Sequence, residues 1–326
     1  MKIGIAGAGS IVPEFLKAAA RLENFNVIAI CGRISSKEKL NQLSNEYSIN
    51  KMYLDYDEML NDTEIDAIYI AVPNHVHYEY ARKALQKQKH VILEKPFTSN
   101  YEQAVELAEL SMKENVILFE AITNQYYPNF IKIKEHIPDL GAIKIVQMNY
   151  TQYSKRYDQF KQGVILPVFD PEMSGGALMD LNVYNIHLVA GLFGEPSKIS
   201  YHANIERNID TSGILILEYP TFQCVCIAAK DCEAPVSMSI QGDKGYLYSA
   251  SPTNVMHDVS FHGNDGREVN YELNHIPDRF YYELEAFQQI VANQDTKLSH
   301  EKLNQSLLVM KILDEARRQA GIRILK

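Results

Sequence analysis

An apolar run that ends abruptly in charge constrains this sequence more than any other feature. Val91-Ile92-Leu93 leads directly into Glu94-Lys95-Pro96. A short apolar run is typical of a buried parallel strand, and proline cannot donate to a sheet ladder, so the strand is predicted to end at this triplet. Open α/β sheets bind ligands outside the carboxyl ends of their strands. Lys95 is therefore a candidate functional residue; the alternative is an ordinary strand end with a surface ion pair.

The first residues of the chain predict a loop that binds the pyrophosphate of a dinucleotide. A strand-like segment, residues 2–6, and a segment with helical periodicity, residues 13–22, flank a glycine-containing loop. The first glycine permits a tight turn, and the second lets the backbone approach a pyrophosphate at the helix N-terminus. The third position of the fingerprint holds valine instead of Gly or Ala. The predicted contacts from this loop are Gly7, Gly9, Ser10, Ile11 and Val12.

The loop after the second predicted strand, residues 25–30, indicates which dinucleotide binds. NAD-preferring proteins usually carry an Asp or Glu there for the ribose hydroxyls. This chain has Cys31-Gly32-Arg33-Ile34-Ser35-Ser36, with no acid. Arg33 and the two serines are suited to holding a 2′-phosphate, so NADP is the predicted cofactor and NAD the second choice. The alternative is that Arg33 is a solvated loop residue.

The segment 66–72 predicts a further strand, followed by Pro73-Asn74 and the pair His75 and His77. No carboxylate or cysteine lies at ligand spacing from this pair, so we predict a loop or helix-capping role and no metal. Strands alternate with helices of about 10–15 residues through this half of the chain. The pattern predicts a doubly wound parallel sheet in a first domain, residues 1–121.

From Gly141 onward, strand-like segments follow one another, which predicts an α+β domain over residues 122–326 with a large, mainly antiparallel open sheet. Its open face predicts a homodimer or homotetramer contact. An amphipathic segment, residues 300–320, is expected to form a helix that packs at the domain junction. The predicted strands are 143–153, 199–205, 213–219, 223–228, 236–241, 245–248 and 259–261.

One helix, predicted over residues 174–188, interrupts these strands and carries three polar side chains. Asp180, Tyr184 and His187 have the spacing i, i+4 and i+7, which is one stripe of an α-helix. Polar groups on an otherwise apolar helix need partners or a ligand. The stripe predicts a ligand site; the alternative is a set of hydrogen-bonded core residues.

Composition excludes several classes of function for these 326 residues. The formal net charge of -9 argues against a general nucleic-acid binder. No apolar run approaches the ~18–20 residues of a membrane span, and the N-terminus lacks an export signal. The four cysteines lack the Cys-x-x-Cys spacing of a zinc site. We expect a cytoplasmic protein with reduced thiols and without nucleic-acid or membrane partners.

Taken together, the motifs resemble the Gfo/Idh/MocA family of NAD(P)-dependent oxidoreductases over nearly the whole chain. The resemblance rests on Gly7-Ala8-Gly9, Ala71–Asn74 with His77, Glu94-Lys95-Pro96, Glu120-Ala121, Gly175–Asp180 and Ile312–Arg318. It implies an N-terminal Rossmann domain and a catalytic Lys95 that acts with Asp180 and Tyr184. Tyrosine, in place of the histidine of inositol dehydrogenases, is similar to the glucose–fructose oxidoreductase and dihydrodiol dehydrogenase branch.

The resemblance also implies which other residues contact ligands. Gln125 and His187 are expected to contact the substrate, although Gln125 stands where that branch often has Arg, and Asn182 where it often has Gly. These departures leave the substrate open. The expected cofactor contacts outside the glycine loop and Arg33 are Val72, Pro73, Asn74, His77, Glu94, Lys95 and Pro96.

The implied chemistry is hydride transfer between NAD(P) and a hydroxyl or carbonyl group of a sugar, polyol or related small molecule. Alcohol oxidation needs a proton acceptor, and a free tyrosine, with a pKa of about 10, is a poor base unless a nearby ammonium stabilises its phenolate. Lys95 and Tyr184 supply this combination. Two alternatives remain: a catalytically silent NAD(P)-binding regulator and an NAD-assisted glycoside hydrolase.

Overall fold

The computed structural model describes residues 1–325 and divides into two compact units. The first contains Met1–Ala121 and Ile276–Leu307, and the second contains Ile122–His275 and the chain from Leu308 onward. The sequence predicted two contiguous domains, 1–121 and 122–326. That prediction is wrong for Ile276–Leu307, which packs with the first unit. Among residues 1–325, no helix is both long and apolar enough to cross a membrane.

The first unit contains a six-stranded parallel sheet, in the order β3-β2-β1-β4-β5-β6. This confirms the predicted doubly wound sheet, and its two halves meet between β1 and β4. The strands are β1 (Lys2–Ala6), β2 (Asn26–Cys31), β3 (Lys51–Tyr53), β4 (Ala67–Ile70), β5 (His90–Glu94) and β6 (Leu118–Ala121). The helices between them are α1 (Val12–Ala19), α2 (Lys37–Glu46), α3 (Tyr56–Leu60), α4 (His77–Gln86) and α5 (Tyr101–Lys113).

The segment Ile276–Leu307 contains a helix, α9 (Tyr281–Asn293), that was not predicted from the sequence. Its buried residues include Leu284 and Phe287, and the ring of Phe287 meets the edge of Phe119 on β6 at 5.4 Å between centroids. Arg279, just before α9, donates to Glu14 of α1 at 2.8 Å. These contacts make α9 part of the packing of the first unit.

The second unit contains an eight-stranded sheet in the order β14-β13-β12-β11-β7-β10-β9-β8. Its pairs are antiparallel except β7 with β10, which confirms a mainly antiparallel sheet and adds a parallel pair that was not expected. The strands are β7 (Ile143–Thr151), β8 (Lys198–Glu206), β9 (Ile209–Glu218), β10 (Gln223–Ala229), β11 (Ser237–Gly242), β12 (Gly245–Ser249), β13 (Val259–Gly263) and β14 (Glu268–Tyr271).

Helices cover one face of this sheet. They are α6 (Pro128–His136), α7 (Lys155–Lys161) and α8 (Val183–Phe193), and α10 (Thr296–Gln319) follows α9 near the end of the chain. α8 is buried on all sides from Val183 to Ala190, and its polar residues Tyr184, Asn185 and His187 are buried with the apolar ones. α10 begins earlier than the predicted 300–320, and the division between the units falls within it, between Leu307 and Leu308.

The predicted single helix over 174–188 is wrong in its first part, because Leu178–Asn182 forms a π-helical turn that leads into α8. The carboxylate of Asp210, on β9, accepts from the Leu178 amide at 2.6 Å and from the Tyr201 hydroxyl at 2.8 Å. A Cβ on Gly176, which has φ +106°, would overlap this carboxylate. Asp210 therefore caps the start of the π turn, and glycine leaves the space that it needs.

Asp210 makes the stability of the second unit depend on pH. Burial raises the pKa of its carboxyl to about 6, although the bonds from Leu178 and Tyr201 oppose the shift. Between the ordinary value of 3.8 and 6 the folded chain binds more protons at this site than the unfolded chain, so the contribution of Asp210 to stability falls as pH rises.

Asp210→Asn is expected to remove this dependence. The difference in unfolding free energy between wild type and variant should decrease by up to about 1.4 kcal/mol per pH unit between pH 4.5 and 6. Urea unfolding across this range measures it. Asp265→Asn is the matched control, because Asp265 is exposed and also accepts a backbone bond, from Arg267 at 3.0 Å. A difference that does not vary with pH contradicts the assignment.

Candidate functional site

The loop between β1 and α1 has the geometry of a pyrophosphate cradle. Gly7 has φ +119°, and a Cβ there would overlap the carbonyl oxygen of Ala71, past the end of β4. A Cβ on Gly9 would meet that same carbonyl oxygen at 3.8 Å and would otherwise point into open space among residues 1–325. No side chain in this range caps the start of α1. The amides of Val12 and Glu14 donate to the carbonyls of Gly9 and Ile11, so an anion would be held by the backbone of the loop before them. These features fit a dinucleotide.

Arg33 lies where the second strand ends, and its side chain is exposed. Its backbone is extended and precedes a 3₁₀ turn, Ile34–Ser36, which leads into α2. A Cβ on Gly32 would meet the side chain of Leu40 of α2 at 3.2 Å, so the loop before the arginine passes close to α2. The structure therefore presents a cation, with exposed Ser35 beside it in sequence and no carboxylate from Cys31 to Lys37.

His77 joins the two loops that follow β4 and β5. It is fully buried at the start of α4, with Nε2 at 2.9 Å from the Val72 carbonyl and Nδ1 at 3.0 Å from the Pro96 carbonyl. Burial lowers the pKa of the imidazole, while the carbonyls act in the opposite direction. A neutral ring has one N–H and donates to one carbonyl at a time. The structure gives His77 an internal role in holding the loops; its predicted contact with the cofactor stays a prediction.

Glu94 directs its carboxylate into the interior of the first unit. Oε1 accepts from the Tyr69 hydroxyl at 2.7 Å, and Oε2 accepts from the Lys95 amide at 3.2 Å. Tyr69 is itself fully buried and stacks on Phe15 at 3.7 Å. Burial raises the pKa of Glu94, against the Tyr69 bond and the charge of Lys95. The carboxylate thus fixes the backbone of Lys95, whose side chain is only partly buried.

A second buried carboxyl, Glu283 of α9, lies near Glu94 and was missed from the sequence. It is 1% exposed, and neither oxygen has a hydrogen-bond partner within residues 1–325. Burial and then the charge of Glu94 raise its pKa well above the ordinary value, with Arg279 opposing and Glu120 adding. The surroundings of Glu283 therefore favour its protonated form. The sequence signal for Glu283 was an acidic residue among the apolar residues Phe280, Leu284 and Phe287 of a helical pattern.

In the second unit, Asp180 lies on the π turn and forms an ion pair with Lys230, which follows β10. Lys230 was not identified from the sequence. Its sequence signal was a lysine directly after the apolar strand Cys224–Ala229, the same arrangement that drew attention to Lys95. The Asp180 side chain is 27% exposed and that of Lys230 is 5% exposed. The Lys230 side chain is therefore enclosed, whereas part of the Asp180 side chain is open to solvent.

Tyr184 and His187 lie deeper than Asp180, in the buried helix α8. Tyr184 is 7% exposed, and its ring lies 6.2 Å from that of Tyr150. His187 is 1% exposed. The π turn has more residues per turn than an α-helix, so the regular α-helical stripe does not continue from Asp180 to these two residues. Asp180, Tyr184 and His187 thus lie in one continuous segment of the second unit, and of these three side chains only that of Asp180 is substantially exposed.

Gln125 has a defined structural contact. It is 5% exposed, and its Nε2 donates to the main-chain oxygen of His187 at 2.7 Å. A Cβ on Gly191 would meet its amide, so the glycine makes room for it. The neighbouring Asn124 donates to the Tyr184 carbonyl at 2.8 Å. Both amides hold α8 in place, and a contact between Gln125 and substrate stays a prediction.

Comparison with known proteins identifies relatives over the full length. Residues 1–122 match a family model described as oxidoreductase family, NAD-binding Rossmann fold, and residues 130–248 match the GFO/IDH/MocA C-terminal domain. Scyllo-inositol 2-dehydrogenase (NADP(+)) of Bacillus subtilis is 32% identical, over 99% of this chain and 98% of that protein. Trans-1,2-dihydrobenzene-1,2-diol dehydrogenase of Xenopus tropicalis is 28% identical, over 98% of each.

A solved structure shares the fold. The 3-ketoreductase KijD10 of Actinomadura kijaniata, in complex with NADP and TDP-benzene, superimposes with a TM-score of 0.84 at 21% identity, over 98% of this chain and 97% of the other. The family predicted from the motifs is confirmed by the matched family models and by the 32% identical relative. The chain belongs to the Gfo/Idh/MocA family of oxidoreductases, and its first unit is an NAD-binding Rossmann fold.

Proposed function

We propose that the chain transfers hydride between NADP(H) and a hydroxyl or carbonyl carbon of a polyol or sugar. The observation that carries the proposal is the end of β5, where Glu94 holds the backbone of a partly exposed Lys95. The pyrophosphate cradle of the same unit and the relatives that act on inositol and dihydrodiols support it. Asp180 and Tyr184, both present, favour a working enzyme over a silent regulator.

Bound NAD(P) supplies the hydride acceptor or donor. The chain supplies proton transfer: in the oxidation, the O–H bond of the substrate breaks and its proton passes to the Tyr184 phenolate. By the resemblance to the family, the Lys95 ammonium would stabilise that phenolate, and Asp180 would accept hydrogen bonds from substrate hydroxyls. In the reduction, Tyr184 returns the proton to the carbonyl oxygen. His187 lies one turn further along α8, about 4.5 Å down its axis, and holds the pocket wall.

Substitution of the acid–base residues tests this function. Wild type is assayed for NADP⁺ reduction with scyllo-inositol, trans-1,2-dihydrobenzene-1,2-diol and D-xylose. Lys95→Met and Tyr184→Phe should each lower kcat by at least ~10²-fold while NADPH binding, followed by fluorescence, stays within twofold. His187→Asn should mainly raise KM, and Lys87→Met is the control because Lys87 is an exposed lysine of the same unit as Lys95.

Release of free NADPH separates the proposal from the alternatives. A silent regulator binds cofactor without turnover, and an NAD-assisted hydrolase regenerates its cofactor within each cycle. Near-normal turnover by Lys95→Met would contradict the mechanism. An active Tyr184→Phe beside an inactive His187→Asn would assign proton transfer to His187 instead.

Cofactor preference follows from the Arg33 loop. NADPH should bind more tightly than NADH, because Arg33 makes a charge-assisted contact with the 2′-phosphate. Arg33→Ala should reduce the preference by about 1.5–3 kcal/mol in fluorescence titrations, acting on NADPH alone. Lys39→Ala, an exposed cation further along α2, is the matched control. Equal binding of the two cofactors by wild type refutes the preference.

The open face of the second sheet supports a homodimer or homotetramer. Ile145, Ile214 and Tyr246 are each 42–48% exposed, and the strand register places them on one face. Glu218, at the end of β9, pairs with Lys198 at 3.0 Å, so its charge is compensated within the chain. The other residues that the register places on this face of β7, β9, β10, β11 and β12 are uncharged: Gln147, Asn149, Thr151, Ser212, Ile216, Gln223, Val225, Ile227, Ala229, Ser237, Ser239, Gln241 and Tyr248. A two-fold contact through these five strands therefore brings no uncompensated like charges together.

Charge placed on that face should dissociate the oligomer. Ile145→Asp should lower the mass measured by light scattering from a multiple of 37.1 kDa to 37.1 kDa. Ile131→Asp is the matched control, because Ile131 is 53% exposed on α6 and away from the sheet face. A monomeric wild type overturns the assembly. The free thiols of all four cysteines support our placement of the protein in a reducing, cytoplasmic compartment.

A further inference from the structure

Lys230 occupies a fixed position directly after β10. Its amide donates to the Thr211 carbonyl at 2.8 Å, and its own carbonyl accepts from the Ser154 amide at 2.9 Å. The backbone is therefore held from both sides. The side chain is 5% exposed, which is rare for lysine and requires a compensating partner.

Two groups confine the ammonium of Lys230. It forms an ion pair with Asp180, and it lies 5.6 Å from the centre of the Phe169 ring. Phe169 is fully buried in a cluster with Phe160 and Ile209. Such a ring is a favourable neighbour for a cation but cannot neutralise its charge. Asp180 is thus the anion on which the buried ammonium depends.

The acid next to Lys230 in sequence has other partners. The Asp231 carboxylate accepts from the hydroxyls of Thr211 at 2.7 Å and Ser212 at 2.9 Å. It is tied to β9. The pairing of Lys230 with Asp180, fifty positions away in the chain, is therefore a specific arrangement and not the nearest available one.

The pair differs from a purely structural ion pair in the same unit. Arg317 and Asp314 of α10 are 3% and 7% exposed, so both ends of that pair are closed. In the Lys230–Asp180 pair the Lys230 side chain is buried, whereas 27% of the Asp180 side chain is exposed. An ion pair with an open carboxylate is suited to receiving a further hydrogen-bond donor, such as a hydroxyl group.

We propose that Lys230 is a positioning residue of the oxidoreductase reaction, which keeps Asp180 ionised and turned toward substrate hydroxyls. The proposal rests on the function proposed above. A cation close to a carboxylate favours its ionised form, and the fixed backbone of Lys230 limits how the carboxylate can rotate. Lys230 itself does not touch the substrate, because its ammonium is enclosed.

Other titratable groups near the π turn have separate assignments. The strands β7, β9 and β10 and the helix α8 pack against this turn. Asp210 is bound by Leu178 and Tyr201, and Asp231 by Thr211 and Ser212. The titratable groups that these elements contribute are Lys144, Tyr150, Tyr184, His187, Asp210, Glu218, Cys224 and Cys226, and Lys230 and Asp231 directly follow β10. If Asp180→Asn removes one limb of the pH profile of kcat, that limb is therefore assigned to the titration of Asp180.

The test is the pH dependence of kcat for NADP⁺ reduction with scyllo-inositol, or with whichever compound of the panel wild type oxidises. Lys230→Met should lower kcat by the order of 10²-fold, the loss expected for a displaced catalytic group, and should move the acidic limb to higher pH. The limb moves upward because Asp180 protonates more readily without the ammonium. Lys230→Arg, which keeps the charge, should leave the limb in place.

Two comparisons separate positioning from a general structural effect. In the Asp180→Asn background, Lys230→Met should change kcat by less than about twofold, because Lys230 acts through Asp180. Lys161→Met is the matched control: Lys161 also pairs with an acid, Asp158 at 2.9 Å, and lies 5.1 Å from the Tyr157 ring, but is exposed. NADPH binding should stay within twofold in every variant.

Each result decides the proposal. An unchanged limb in Lys230→Met, or a full loss of kcat that persists in the Asp180→Asn background, overturns it. If Lys230→Met shows no cooperative unfolding, Lys230→Gln takes its place with the same expectations. A wild type that oxidises no compound of the panel overturns the proposed function, and this proposal with it. An active wild type with an unaffected Lys230→Met overturns the role of Lys230 alone.

Discussion

Parallel strand pairing determines where both lysines of this chain lie. Lys95 follows β5, which runs between the parallel strands β4 and β6, and Lys230 follows β10, which is parallel to β7. A strand paired on both sides has its backbone fixed up to its last residue. The next side chain therefore leaves the sheet edge from a defined point. The two sheets differ in size and in pairing, yet the same local constraint places a cation at the end of a strand in each.

The cost of burying charge explains the different states of the acids around these lysines. Asp180 retains an ionic partner in Lys230. Glu94 accepts hydrogen bonds from neutral donors, the Tyr69 hydroxyl and the Lys95 amide, and burial raises its pKa. Glu283 has no hydrogen-bond partner within residues 1–325, and burial raises its pKa well above the ordinary value. The fewer the compensating groups, the more the protonated form is favoured.

Features that depend on neighbouring residues were predictable from the sequence, and features that depend on distant ones were not. The apolar run before Glu94 and the turn at Gly7 are local, and the structure contains both. The π turn was missed because its cap, Asp210, comes from a strand that follows 32 positions after Leu178. The pairing of Lys230 with Asp180, fifty positions away, was missed for the same reason. Helix α9 is amphipathic, but amphipathicity does not say which sheet a helix will cover.

The motif residues themselves divide into two kinds for a geometric reason. Glu94 is the last residue of β5 and is buried, whereas Lys95 follows the strand and is only partly buried. The hydroxyl of Tyr69 on the neighbouring strand donates to the inward carboxylate, which leaves the outward position to the lysine. His77 supports the same arrangement from α4, because its ring contacts the carbonyls that follow β4 and β5. A motif recognised as one unit in sequence thus contains a buried carboxylate and a partly exposed lysine, and the carboxylate holds the backbone of that lysine.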